Sequence, residues 1–348
     1  MKIQFQCDYN EGCAPEILSA LARTNMEQNV GYGEDPHCQN ARRLIQEACK
    51  APHADVHFLV GGTQTNTTVI YSILRPHEGV LAVTTGHINC HEVNAIEGTG
   101  HKVLAIPGEN GKLTPKAIED AYLSWKNDFS WEHIVKPGMV YISQSTETGT
   151  LYTKAELEAI SAMCKKYQLP LFLDGARLGY ALAADGCDLT LPDIARLCDV
   201  FYIGGTKVGA LFGEAVVITN PALKEDFRYL IKQHGGMLAK GRLLGVQFDA
   251  LMTDNLYFEI AERAVRLADQ IRATLEELKV PHLVPGITNQ IFPILSDACL
   301  TELAKEFCFT EMERVSDTHR AIRFCTSWAT TQENVDKLCD ALRKFAKL

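Results

Sequence analysis

The chain has 348 residues and a formal net charge of −9 at pH 7, with 46% hydrophobic and 22% charged residues. This composition is typical of a globular protein with one large and one smaller domain, and the negative charge argues against a nucleic-acid partner. The sequence starts with no signal-peptide core and has no apolar segment of membrane-spanning length, so we expect a cytoplasmic protein without a membrane partner.

Apolar runs of strand length alternate with helical segments over the first two thirds of the chain. Thr114-Pro115 marks one helix start, and the run from Thr153 to Glu156 is a capping box that opens another. This alternation predicts an α/β domain over residues 1–238, with a mostly parallel sheet covered by helices on both faces. Its N-terminal segment is a candidate to pack with the second domain. The seven predicted strands lie at residues 56–60, 79–83, 101–106, 139–143, 171–173, 200–203 and 215–218.

The pattern changes after Leu238. Apolar residues at three- and four-residue spacing predict one long helix over about residues 241–278. Shorter elements follow, which together indicate a smaller α+β domain over residues 239–348. Its predicted strands lie at 282–284, 290–295 and 321–326, and its predicted helices at 300–307 and 331–347.

Two apolar runs, 171–177 and 201–209, each end abruptly in polar residues and glycine. The first stops on Asp174 and the second on Lys207. A pyridoxal phosphate (PLP) enzyme needs a lysine that forms a Schiff base with the cofactor aldehyde, and a carboxylate that keeps the pyridine nitrogen protonated. The alternative is that both are ordinary strand-end residues of an α/β domain.

The run Gly61-Gly62-Thr63 lies between a predicted strand and a predicted helix. Free backbone N–H groups and the helix dipole there would hold an anion such as a phosphate, although an ordinary tight turn explains the same residues. Thr206, next to Lys207, offers a hydroxyl to the same phosphate.

His87 follows the predicted strand 79–83, where its ring would lie over a flat cofactor; a hydrogen-bonded loop histidine is the alternative. His87, His91 and Glu92 are close in sequence but lack the His-Glu-x-x-His arrangement, and the twelve cysteines contain no Cys-x-x-Cys pair. We therefore expect no metal site.

Arg323 is the single charge inside an apolar strand of the small domain, and Arg177 closely follows Asp174. A buried arginine needs an anion. A substrate carboxylate would serve, and so would a structural salt bridge.

Four motifs together resemble the PLP-dependent threonine aldolases, within the wider group of β-eliminating lyases. They are Tyr32–Pro36, Gly62–Asn66, Asp174–Arg177 and Thr206-Lys207, and the resemblance runs from about residue 8 to residue 340. It implies the aspartate-aminotransferase type of fold (fold type I), PLP as cofactor, an amino acid substrate, and a homodimer or homotetramer with shared active sites.

The resemblance also implies roles for individual residues. Lys207 is expected to carry the cofactor, Asp174 to pair with the pyridine nitrogen and His87 to stack on the ring. Expected phosphate contacts are made by Gly62, Thr63, Thr206 and, across subunits, Lys240.

The substrate would be bound by a second group of residues. Arg177 and Arg323 match the two arginines near the cofactor and the substrate carboxylate, and Tyr32 matches a tyrosine that reaches a neighbouring subunit's site.

Two positions depart from the family pattern. Cys7-Asp8-Tyr9 stands where Ser-Asp-Thr is common, so Cys7 takes the place of a serine expected near the substrate carboxylate. Glu147 stands where many members have a histidine near the substrate hydroxyl, and a carboxylate there is also able to accept a proton.

The predicted function is PLP-dependent cleavage of β-hydroxy-α-amino acids of the L-threonine or L-allo-threonine type into glycine and an aldehyde. The base is Glu147, His87 or a bound water. The same cofactor would also serve β-elimination or transamination, and a PLP-free α/β binding protein is the alternative from another class.

Overall fold

The computed structural model describes residues 2–347. Within them, strands β1 to β13 span Ile3–Gln4, Asp55–Leu59, Glu78–Val83, Lys102–Ile106, Lys136–Ser143, Leu171–Asp174, Val200–Gly204, Glu214–Ile218, Gln290–Ile291, Ile294–Ser296, Phe307–Cys308, Thr310–Arg314 and His319–Cys325. Helices α1 to α13 span Pro15–Thr24, Pro36–Ala48, Gly62–Ile73, His87–Cys90, Pro115–Lys126, Lys154–Tyr167, Leu178–Leu182, Leu191–Leu197, Phe227–Gln233, Arg242–Met252, Leu256–Glu277, Asp297–Leu303 and Gln332–Phe345. Short 3-10 turns lie at Glu97–Thr99, Trp131–His133, Pro221–Leu223 and Thr253–Asn255.

The largest sheet of the described chain has seven strands, in the order β2-β8-β7-β6-β5-β3-β4. Strand β8 runs antiparallel to both of its neighbours, and the other pairs are parallel. All seven strands coincide with the predicted runs to within a few residues. The mostly parallel α/β architecture is therefore confirmed.

Helices cover both faces of this sheet, and strand β7 shows why. Phe201 and Ile203 pack into one core, with residues of α1, α2, α10 and α11, whereas Val200 and Tyr202 pack into the other, beside α3 and α9. Successive side chains of a strand point to opposite faces, so a run that is apolar at every position needs cover on both sides.

A third core lies in the C-terminal part of the chain. It joins α11, α12 and α13 to the short antiparallel sheet β10-β13-β12. The N-terminal strand β1 pairs with β11, and Phe5 is fully buried in this core. The predicted boundary between domains at residue 238 stays a prediction.

Two predictions for this region are wrong. The long helix predicted over 241–278 is divided into α10 and α11, because Asp254 and Asn255 adopt left-handed backbone angles with φ of 51° and 61°. Polar Asp and Asn tolerate that conformation well.

The small-domain strands also differ from the prediction. Residues 282–284 form no strand, and only an isolated bridge joins His282 to Pro293. The run 290–295 is interrupted between β9 and β10 at Pro293, because proline has no N–H to give to a sheet. Among residues 2–347, no helix has both the length and the apolar character that crossing a membrane requires.

Candidate active site

Asp174 and Lys207 lie at the same edge of the sheet. Asp174 is the last residue of β6, and Lys207 follows the carboxyl end of the parallel neighbour β7. Glycine makes this close approach possible: a Cβ on Gly175 would lie 1.8 Å from the carbonyl oxygen of Tyr202, and one on Gly204 would lie 2.5 Å from that of Ala176. The glycines noted in the sequence thus allow the two strand ends to meet.

The carboxylate of Asp174 is buried and accepts four hydrogen bonds. The donors are the hydroxyl groups of Tyr202 (2.5 Å) and Tyr141 (2.6 Å), the backbone N–H of Ala176 (3.0 Å) and the amide nitrogen Nδ2 of Asn66 (3.1 Å). Burial alone would raise the pKa of Asp174, but the charge of His87 and the hydrogen bonds from Tyr141, Tyr202 and Ala176 lower it below its ordinary value. Asp174 is therefore an anion at neutral pH.

The amine of Lys207 has neither a hydrogen bond nor a carboxylate partner among residues 2–347, whereas its backbone carbonyl accepts from the hydroxyl of Tyr180 at 2.5 Å. Burial, and after it the charge of Arg177, lower the pKa of Lys207 below its ordinary value. More of the amine is then uncharged at neutral pH, which is the form that attacks a carbonyl.

Thr206 belongs to a tight turn beside this lysine. Its Oγ1 accepts a hydrogen bond from the backbone N–H of Gly213 at 3.0 Å, and the N–H of Gly205 donates to Oε2 of Glu214 at 3.0 Å. Burial raises the pKa of Glu214 to about 8. The turn thus holds Thr206 against Gly213, the residue before β8, and beside Lys207 in the chain.

Helix α3 begins at Gly62, and no side chain caps its N-terminus. Thr63 is exposed in the first turn, while the hydroxyl of Thr65 is buried without a partner in the described part of the chain. A Cβ on Gly62 would lie 3.3 Å from the hydroxyl of Tyr202, which itself bonds Asp174. Uncapped N–H groups at a helix start suit a phosphate.

His87 begins α4 and is 36% exposed, and its Nδ1 lies 2.7 Å from Oε1 of the fully buried Glu92. Burial alone would lower the pKa of His87, but its hydrogen bond to Glu92 and the charge of Asp174 raise it above its ordinary value. His87 therefore lies within the electrostatic reach of the carboxylate at the end of β6.

Glu147 lies beside His87. Its Oε1 accepts hydrogen bonds from the backbone N–H of His87 at 3.0 Å and from Oγ of Ser143 at 2.7 Å. Its Oε2 is buried and has no partner within residues 2–347. Burial raises the pKa of Glu147 above its ordinary value, and the charge of Asp174 acts in the same direction.

The two arginines differ in their surroundings. Arg177 forms a bidentate ion pair with the buried Asp8, from Nε to Oδ2 at 2.8 Å and from Nη2 to Oδ1 at 3.0 Å. Arg323 in β13 has no carboxylate partner in the described chain: its Nη2 donates to the carbonyl of Gln6 at 3.1 Å, and its Nε is buried without a partner. Within residues 2–347, Arg177 therefore forms a salt bridge and Arg323 forms none, and the substrate role of both arginines stays a prediction.

The remaining predicted site residues are Cys7, Tyr32 and Lys240. Cys7 is half-buried beside Asp8, and its Sγ donates to Oδ1 of Asn10 at 3.0 Å. Tyr32 is 48% exposed and Lys240 is exposed as well. The N–H of Tyr32 donates to the carbonyl of Ala239, so Tyr32 and Lys240 share one surface. Within residues 2–347, neither Tyr32 nor Lys240 forms a hydrogen bond with Asp174 or Lys207.

The nearby histidines and carboxylates do not gather around a metal position. The rings of His87 and His91 are 5.6 Å apart and tilted, and Nδ1 of His87 is occupied by Glu92. No group of three or more metal-ligating side chains occurs among residues 2–347.

The model of the beta-eliminating lyase family matches residues 4–298. The chain belongs to the β-eliminating lyase family. Within this family it is 32% identical, over 98% of its own length and 97% of the relative's, to the low-specificity L-threonine aldolase of Pseudomonas aeruginosa. It is 25% identical to the corresponding Escherichia coli enzyme, over 74% of this chain and 75% of that one.

Solved structures agree with this lyase family. The threonine aldolase of Leishmania major is 48% identical, superposes with a TM-score of 0.96, and covers 99% of both chains. Aspartate aminotransferase of Thermus thermophilus superposes with a TM-score of 0.71 at 14% identity, over 99% of this chain and 91% of that one, which shows the shared fold alone. The predicted resemblance, its fold and its lyase class are confirmed.

The sequence analysis missed several residues of this lyase site. Tyr141, Tyr202 and Asn66 bond Asp174, Glu92 bonds His87, and Asp8 pairs with Arg177. Tyr202 carried a signal, because a tyrosine buried in a central strand needs a partner for its hydroxyl. Asn66 and Asp174, like Asp8 and Arg177, lie more than a hundred residues apart in sequence, so no local pattern identified these two contacts.

Proposed function

We propose that this chain is a PLP-dependent carbon–carbon lyase that cleaves L-threonine and L-allo-threonine into glycine and acetaldehyde. The observation that carries the proposal is the convergence of Lys207, Asp174 and His87 at one sheet edge, in a chain that aligns over its whole length with threonine aldolases. Substrates with other β-substituents fit the same chemistry, since the bond that breaks lies between Cα and Cβ.

The residues present fit PLP. A buried anionic carboxylate, an unpaired lysine amine and an uncapped helix N-terminus match the pyridine nitrogen, the aldehyde and the phosphate. Asp174 and Lys207 would hold opposite ends of the ring, His87 would cover its face, and Gly62, Thr63 and Thr206 would hold the phosphate. When bound, PLP supplies an electron sink for the bond that breaks at Cα.

Lys207 and Asp174 act through their protonation states. The lowered pKa of Lys207 leaves its amine free to bind the cofactor covalently. Asp174 stays negative within its four hydrogen bonds, so it is placed to keep a proton on the pyridine nitrogen. This charge arrangement exists before substrate arrives, and it costs no reorganisation during the reaction.

Arg323 is the group we assign to the substrate carboxylate. It is a guanidinium without a carboxylate partner in the described chain, and bidentate binding of a carboxylate is what this group does well. Arg177 is already occupied by Asp8, so we assign it the positioning of Asp8 and an electrostatic effect on Lys207. Cys7, next to Asp8, borders the same region.

Glu147 is the group we assign to the proton of the substrate's β-hydroxyl. Its Oε1 is held by His87 and Ser143, and its Oε2 carries no bond to the described residues. A carboxylate with a raised pKa is a better proton acceptor than an ordinary one. Glu147 would thus do the task that the family resemblance assigns to a histidine in other members.

We also propose that two or four copies assemble with shared active sites. Tyr32 is exposed above Lys232, with the amine 5.0 Å from the ring centre, and it lies on one surface with Lys240. These two side chains would then reach the site of a neighbouring copy. A cytoplasmic location remains a prediction.

Product identification tests the reaction. Purified protein loaded with PLP is incubated with L-threonine and with phenylserine. The proposal expects glycine and the matching aldehyde in equal amounts. Ammonia together with a keto acid, without glycine, would instead support β-elimination. A keto acid without free ammonia or glycine would support transamination, in which the amino group is transferred rather than released.

A further inference from the structure

Glu92 is a buried carboxylate between two exposed neighbours, His91 and Val93. Its side chain is 0% exposed. One oxygen, Oε1, lies 2.7 Å from Nδ1 of His87 and accepts a hydrogen bond from Nδ2 of Asn66 at 2.7 Å. The other oxygen, Oε2, is buried with no partner among residues 2–347. A carboxylate removed from water in this way is costly unless its contacts offset the loss of hydration.

The backbone after Glu92 is strained. Val93 and Asn94 both have left-handed backbone angles, with φ of 50° and 57°. A β-branched residue rarely adopts this conformation, and Val93 is 98% exposed, so packing of its own side chain does not compensate. Strain of this kind persists where the surrounding contacts fix it, and it concentrates at functional sites. Here it turns the side chain of Glu92 inwards.

The bonds of Glu92 lead directly to Asp174. The same Nδ2 of Asn66 that donates to Glu92 also donates to Oδ2 of Asp174 at 3.1 Å. An amide nitrogen has two hydrogens, so both bonds are made at once. Because an ionised Glu92 only accepts, the ring nitrogen Nδ1 of His87 must carry the hydrogen in the bond between them.

We propose that Glu92 is a positioning residue that fixes the tautomer and orientation of His87 and, through Asn66, holds Asp174 in place. The proposal rests on the proposed function, because it assigns His87 to the cofactor face. With Nδ1 protonated, Nε2 is the nitrogen left free to face the cofactor or substrate. Glu92 thus aligns both His87, which would lie over the cofactor ring, and Asp174, which would pair with the pyridine nitrogen.

Several charged groups face His87, and together they set its pKa and how that pKa changes when the charge of Glu92 is removed. Glu92 and Asp174 raise the pKa of His87, whereas burial and Lys207 lower it. The remaining groups near it are His91 on the same loop and Glu147, whose Oε1 accepts from the His87 backbone. Removal of the Glu92 charge therefore moves the titration of His87 to lower pH.

The test is the variant Glu92→Gln, which keeps the shape and an acceptor oxygen but removes the charge. We expect kcat for threonine cleavage to fall about 10- to 100-fold with little change in KM. Without substrate, the pH midpoint of the visible absorbance of bound PLP should move to lower pH. Glu92→Asp, which keeps the charge, should recover part of the lost kcat and part of the shift in the absorbance midpoint. Glu97→Gln is the matched control, because Glu97 is exposed and its Oε1 accepts only from the N–H of Val103 at 3.3 Å.

The outcomes are distinct. Unchanged kcat and an unchanged absorbance titration in Glu92→Gln would overturn the proposal, and so would equal effects in Glu97→Gln. If Glu92→Gln fails to fold, Glu92→Ala, which also removes the charge, decides by the same two measurements, with wild-type values again counting against the proposal. If the wild-type protein does not cleave threonine, the proposed function fails, while the absorbance titration still tests the role of Glu92.

Discussion

Tyr202 donates its hydroxyl hydrogen to Oδ1 of Asp174 over 2.5 Å, from the neighbouring parallel strand. Tyr141 does the same to Oδ2 over 2.6 Å from the strand on the other side. The carboxylate is therefore held between two phenols that belong to the sheet itself. Rigid strands, rather than loops, fix the position of the charge that PLP requires.

Loss of either phenol should weaken this charge. In Tyr202→Phe the pKa of Asp174 rises, because a hydrogen bond that favours its anion is removed. We expect about a tenfold loss of kcat and weaker PLP binding, with a larger loss in the double variant with Tyr141→Phe. Steady-state kinetics measure kcat, and a PLP titration followed by absorbance measures cofactor binding. Full activity in the double variant would show that the phenols serve packing alone.

Arg323 and Arg177 should respond differently to the same substitution. Arg323→Lys removes bidentate binding, so KM for threonine should rise about 10- to 100-fold, with a smaller change in kcat. Arg177→Lys leaves Asp8 poorly paired, so its main effect should be on stability. Steady-state kinetics and thermal unfolding of both variants separate the roles. A raised KM in Arg177→Lys alone would reverse the assignment.

The ion pair of Asp8 and Arg177 predicts a pH-dependent stability. Burial alone would raise the pKa of Asp8, but Arg177 and Lys207 lower it to about 2. A lowered carboxylate pKa stabilises the fold above the unfolded-state value near 4, and this stabilisation is lost as pH falls towards 2. It amounts to about 2 kcal/mol.

Asp8→Asn should therefore unfold more easily than the wild-type protein at pH 7, and the difference in the free energy of unfolding should shrink below about pH 4. Denaturant titrations at several pH values measure it. A difference that stays constant down to pH 3 would contradict the pairing as its cause.

The raised pKa of Glu147 predicts how kcat depends on pH on the acidic side of the activity profile, its acid limb. Because burial raises its pKa, the basic form of Glu147 appears only at pH values above the usual range for glutamate, and kcat should rise there. Glu147→Gln should lower kcat about 100-fold and remove this limb. Glu147→His should restore part of the rate. An unchanged acid limb in Glu147→Gln would mean that another group takes the proton.

The sheet was predictable from the sequence because its strands are buried on both faces. A run such as 200–203 is apolar at every position, and only a covered strand suits that pattern. The break between α10 and α11 was not predictable from periodicity, since the apolar spacing continues across Asp254 and Asn255. The backbone angles of these two residues, rather than the pattern, end the helix.

The site was predictable only where function imposes a local motif. Lys207 and Asp174 each end an apolar strand, and that signal is local. The pairing of Asp8 with Arg177 and the bond from Asn66 to Asp174 join segments far apart in sequence. Such contacts follow from the packing of the whole chain, so the pairing of Arg177 with Asp8 is visible only in the fold, and the substrate role of Arg177 stays a prediction.

The most direct test locates the cofactor on the chain. Purified protein is incubated with PLP, reduced with borohydride, digested and analysed by mass spectrometry. The account predicts that visible absorbance develops with PLP and that the reduced cofactor is found on Lys207, with Lys207→Ala folded but unlabelled and inactive. A protein that stays colourless and unlabelled, or one that carries the label on another lysine while it cleaves threonine, would contradict it.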